Sequence, residues 1–262
     1  MRFQVAVRFQ VILYVSPALP VVVIPPVVVV EEYCAMQKVL RRVSLFVVFG
    51  SIVVCRPLEA AEHRIELLEA KAPGEEISEE IAATLQPTGV RVLRGKKRKV
   101  CDLWLCKEWQ LPSFNKKEDV NYPFVPGQLI GVVRYNSKGG DFRDQDIAKG
   151  VYTLRYAQQP VDGAHVGTSA TRDFLLLIEA ANDESPEIID YETLAEDSAA
   201  AAGSSHPCLL SLQEPGEAGT TPSINENEQA EWWIIRLVGQ AADANEVKAL
   251  PIDLVVAGQA AE

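Results

Sequence analysis

From residue 61 onward the chain breaks into nine short runs of β-branched, aromatic and leucine-rich sequence, separated by Gly, Pro, Asn and Asp. The runs are IELLEA (65–70), VRVLRG (90–95), KVCDLWLCKEW (99–109), QLIGVVRYN (128–136), GVYTLRYA (150–157), RDFLLLIEA (172–180), PCLLSL (207–212), EWWIIRLV (231–238) and LPIDLVVAG (250–258). Length, composition and punctuation are those of strands. Nine such runs in one chain imply a sandwich or barrel, and the expected all-β fold is a sandwich of about nine strands. In GVYTLRYA, Tyr152, Leu154 and Tyr156 alternate with Thr153 and Arg155, so one face is expected in the core and the other in water. FLLLI (174–178) is apolar at every position and is expected to lie centrally, covered on both sides.

Two helical excursions interrupt this pattern. Ser78 stands before EEIAATL as an N-cap, the two acids suit the positive helix end, and Pro87 stops the segment. DYETLAEDSAAAA (190–202) is alanine-rich and is closed by Gly203. The stretch GEAGTTPSINENEQ (216–229) reads as a polar, mobile connection. No repeat or composition shift divides 61–262, which is expected to be a single domain.

The first sixty residues have a different character. From Met36 the order is basic (Lys38, Arg41, Arg42), then apolar from Val43 to Val54, then small residues around Ala60 and Ala61. That is the order of a signal peptide: the apolar run falls short of the roughly 20 residues a spanning helix needs. Residues 36–60 are therefore expected to be a leader cleaved near Ala60 or Ala61, giving a periplasmic or secreted bacterial protein. Residues 1–35, with Pro17, Pro20, Pro25 and Pro26 inside an apolar stretch, read as an upstream extension from a miscalled start; a long leader or a first membrane segment from Val5 to Val30 are the alternatives. Cys55 follows Val54, which does not suit lipidation.

The charge of the remainder narrows the partners. Residues 1–60 hold six Lys/Arg and three Asp/Glu, leaving 19 basic against 33 acidic residues, a net charge of −14 for 61–262. Such a surface repels phosphate backbones and anionic bilayers, so nucleic acid is not expected and the membrane enters only through the leader. GKKRK (95–99) is a basic hairpin tip too small to change that balance. Of Cys101, Cys106 and Cys208, the first two point to opposite faces at a spacing of five and are not expected to pair with each other. One bridge to Cys208 is possible, and three small buried hydrophobes is the competing reading. No CxxC pair or Cys/His cluster indicates a metal, and no cofactor motif occurs.

The segment QQPVDGAHVGTSATRD (158–173) joins two predicted strands at far greater length than a hairpin needs and gathers Asp162, His165, Thr168, Ser169, Thr171, Arg172 and Asp173. As a ligand site it would use Asp162, His165, Thr168 and Arg172, with Trp232 as an exposed stacking surface. As a hydrolytic site it would use His165 as base, Asp162 or Asp173 to orient it, and Ser169 or Thr168 as nucleophile. No GxSxG elbow supports the second, and an Ω loop bonded to itself explains the same residues. Asp141, Asp144 and Asp146 lack EF-hand spacing and read as a solvated acidic turn. His206 and Cys208 flank Pro207 at a helix-to-strand corner, where a Cys/His nucleophile is conceivable and a plain corner suffices. Trp232 and Trp233 must face opposite ways, so one of them leaves the core face.

The blocks IAKGVYTLRYAQQPVDGAHVGTSATRDFLLLIEA (147–180), SSHPCLLSL (204–212) and LPIDLVVAGQAAE (250–262) resemble an uncharacterised family of exported β-rich proteins from planctomycetes and related environmental bacteria. The resemblance implies an extracytoplasmic location and a β-sandwich, and no activity. More loosely, IAKGVYTL is similar to a strand of prealbumin-like and carbohydrate-binding sandwiches; immunoglobulin-like and jelly-roll forms are the other candidates. The leading functional expectation is a binding or interaction module for a glycan or a protein partner. A periplasmic hydrolase using the 158–173 loop and a structural cell-envelope protein are the alternatives.

Overall fold

The computed structural model describes residues 62–160, 171–216 and 221–260, all within a contact-dense unit spanning Pro57–Glu262. The nine predicted runs are all strands: β1 (His63–Leu68), β2 (Gly89–Arg94), β3 (Arg98–Leu105), β5 (Leu129–Tyr135), β8 (Gly150–Gln158), β9 (Asp173–Glu179), β10 (Leu209–Gln213), β12 (Trp232–Ala242) and β13 (Val247–Ala257). Four shorter strands join them: β4 (Trp109–Gln110), β6 (Gly139–Gly140), β7 (Asp146–Ile147) and β11 (Ser223–Asn227). The last lies within the connection expected to be mobile. It is a polar edge strand paired with β12 from Ser223↔Arg236 to Asn227↔Trp232.

The fold is all-β, and its strands are hydrogen-bonded in one continuous path instead of two separate sheets. The order is β1-β2-β3-β5-β8-β9-β10-β13-β12-β11, with β4 added in parallel to β12 and β6-β7 a separate two-stranded ladder. Continuity depends on β10, which pairs with β9 through Leu209–Ser211 and with β13 through Leu212 and Gln213. Bulges at Val92/Leu93, Leu129/Gly131 and Trp233/Ile234 add local twist. The sheet curls until its end strands β1 and β11 approach one another. Trp109 spans the enclosed space: its Nε1 donates to Ile130 O at 3.0 Å, and its ring lies so close to Gly239 that a Cβ there would sit 2.2 Å from it. The core inside the curl draws Val92, Leu103, Leu154, Leu177, Ile235 and Leu254 from both halves of the path.

The outer face of the central strands is also covered. All residues of β9 except Glu179 are buried, as the apolar run required. Helix α2 (Tyr191–Ala202) lays Leu194 against Ala157, Leu176 and Ile178. Asp190 caps it by accepting from Glu192 N and Thr193 N, and Gly203 closes it at φ 61°. Helix α1 (Glu79–Thr84) begins with Ile81 N donating to Ser78 Oγ at 3.2 Å and buries Ile81.

One expectation for β8 is overturned. Thr153 and Arg155 are as buried as the tyrosines they alternate with. The segment following β9 folds over them: Arg155 gives all five N–H groups away, forking onto both oxygens of Asp183 and bonding Gly127 O, Ser185 O and Glu187 O. Thr153 Oγ1 donates to Asp183 Oδ2. A charged face was therefore covered by a polar loop that neutralises it, which alternation along one strand does not encode. Cys101, Cys106 and Cys208 are free and buried, so the bridge to Cys208 is not made.

Candidate functional site: a cationic cleft at the mouth of the curled sheet

At one end of the curl, β1, β2 and β3 place three basic side chains in a transverse row. Antiparallel register sets His63 opposite Arg94, and Arg94 opposite Arg98. Directly opposed residues share a face, and like charges so placed oppose strand pairing. The turn between the arginines is tied down by Gly95 N donating to Glu62 O and by Arg64 Nη2 donating to Lys96 O. Among the described residues no hydrogen bond or ion pair engages either guanidinium. Two exposed arginines are thus held side by side, neither in an ion pair among the described residues.

The row lines a cleft of about 390 Å³. Its second wall is the Ser137–Asp144 segment, shaped from within by Asp141. That carboxylate is buried and accepts from Arg143 N, Gln145 N, Gln145 Nε2 and Leu209 N. Its third wall is the end of β13 and the residues after it, Val256 to Gln259. Trp232 positions this wall, its Nε1 donating to Gln259 O at 2.7 Å and its ring meeting Phe142 edge-on. Gly258 permits the turn, since φ is 111° and a Cβ would lie 2.6 Å from the Trp232 ring.

Charge and hydrogen bonding are both incomplete in this cleft. Its lining holds Arg94, Arg98 and Lys138 beside the carboxylates of Asp141 and Asp144. Lys138 pairs with Asp146 at 2.7 Å. His63 is 7% exposed and packs against the Trp233 ring at 4.8 Å. Its Nδ1 is the one buried side-chain N or O atom among the described residues without a hydrogen-bond partner. Burial, then the charges of Arg94 and Arg98, push its pKa down to about 4, so it is neutral at pH 7. An unpartnered buried polar atom is costly, and this one is closed to solvent.

Of the residues singled out in the sequence, Asp162, His165, Thr168 and Ser169 lie outside the described residues. Arg172 is paired with Asp119 and donates to Gln159 O. Asp173 is fully buried, accepting from Tyr156 Oη at 2.6 Å and from Asn121 N at 2.9 Å. Burial raises its pKa against those hydrogen bonds, and both oxygens are spent on holding neighbouring segments. Trp232 is half-buried and serves the cleft wall. Asp141, expected in a solvated turn, is instead the buried hub described above. Burial, then the charge of Asp141, pushes the Cys208 thiol up to about 12, leaving it without nucleophilic character beside the exposed His206. Among the described residues no three His, Cys, Asp or Glu side chains are gathered to hold a metal.

Sequence reasoning missed His63 and Arg94, and read Asp144 only as part of a solvated acidic turn. GKKRK marked the basic tip, but register and the approach of β13 are what bring the others to it. No protein-family model, curated protein or solved structure matches the chain.

Proposed function

We propose that this chain is an exported, non-catalytic binding module that accepts an anionic group of its ligand in the cleft between the β2–β3 turn and the end of β13. The observation that carries the reading is two exposed arginines in direct cross-strand opposition, neither with a hydrogen-bond or ion-pair partner among the described residues. Unpaired charges in direct cross-strand opposition cost stability, and a fold retains them where an anion compensates. The scaffold is read as sandwich-like: β10 passes from one half of the path to the other, so two layers face each other across the core. Commitment of both Asp173 oxygens to Asn121 and Tyr156 favours this reading over a hydrolase built on the 158–173 loop. The basic, apolar and small-residue order of 36–60 supports export.

The test is thermal melting of the full chain in acetate, sulfate or phosphate at constant ionic strength. Binding raises Tm with anion concentration, because a ligand held only by the folded state stabilises it. The Arg94→Gln/Arg98→Gln double variant should lose that rise. An unchanged Tm in the parent protein, or an equal rise in the variant, contradicts the reading.

A further inference from the structure

We infer that the group seated in this cleft is a hexuronate, an acidic sugar unit whose carboxylate meets the two arginines while its hydroxyls meet the opposite wall. The inference rests on the anion-binding reading and deepens it. A planar guanidinium fork matches a carboxylate in two parallel hydrogen bonds, and Arg94 and Arg98 are two such forks side by side.

The remaining polar groups ask for hydroxyls. Asp144 is an exposed carboxylate with no hydrogen-bond or ion-pair partner among the described residues, and as an acceptor it repels a second anionic group. Ser137 adds a hydroxyl able to donate or accept. Between the polar walls, Val100 and Val256 offer an apolar strip to the C–H face of a pyranose ring. The volume of about 390 Å³ lies at the small end of ligand sites, roughly 300–1,000 Å³, and suits one sugar unit.

Calorimetric titration of the full chain with D-galacturonate and D-glucuronate, beside acetate, D-galactose and glycine, tests the assignment. One or two added hydrogen bonds correspond to about tenfold in affinity, so at least one uronate should bind about tenfold tighter than acetate. It should also exceed galactose and glycine, and Asp144→Ala should lower the ratio of uronate to acetate affinity. Uronates no tighter than acetate would overturn the hexuronate and leave the anion site standing. Galactose as tight as the uronates, or no binding by any anion, would overturn both. The Arg94→Gln/Arg98→Gln variant, exposed at both positions, keeps the fold and should bind none of the acids.

Discussion

A neutral imidazole packed beneath two unpaired guanidiniums has a folded-state pKa below its unfolded one, and His63 follows that rule, near 4 against an ordinary 6.5. Between those values the unfolded chain takes up a proton that the folded chain refuses. This group's contribution to stability is therefore complete above about pH 6.5 and is lost as pH falls toward 4. An NMR titration of the His63 ring should give a midpoint near 4; a midpoint near 6.5 would show that neither burial nor the arginines act on it. Arg98→Gln in ligand-free protein should hold or raise stability, by up to roughly 1 kcal/mol, because it removes a like-charge cross-strand pair. Urea unfolding checks this, and a clear loss would mean that the arginine has a structural partner. Asp183→Ala should cost about 3–5 kcal/mol in the same assay, since it strands a buried guanidinium. The tip's basic character was legible in GKKRK. The row it forms with His63 was not, because register is a property of two strands and not of one.

At the scale of elements, local chemistry was the readable part. Ser78 caps and Gly203 closes a helix where the sequence placed them, while Asp190, read as the first helical residue, is the N-cap. Leu194→Ala should cost about 2–5 kcal/mol by removing the helix contact over β9, against about 1 kcal/mol for Asp190→Ala at the exposed cap. Comparable losses would contradict the role of α2 as a packed cover. Two readings failed for one physical reason. Arg155 looked solvent-facing because its covering segment, 183–187, lies beyond the next strand. SINEN looked like a loop because an edge strand needs no apolar face and a polar one resists unwanted pairing.

The whole molecule sets a small basic concavity in an acidic surface, and that contrast follows from the curl. The all-β class was written in the nine runs. The single path was not, since it depends on β10 serving two neighbours and on bulges that no composition marks. Where the curl brings β1–β3 toward the end of β13, residues separated by up to 196 positions, from His63 to Gln259, line one cleft. The most direct test of its role is the His63 ring resonance of the full chain, followed by NMR across pH in the presence and absence of saturating D-galacturonate. A carboxylate between Arg94 and Arg98 offsets the charges that depress His63, so its midpoint should rise from about 4 when the ligand is added. Binding by calorimetry with the His63 resonances and midpoint unmoved would place the ligand elsewhere and contradict the account.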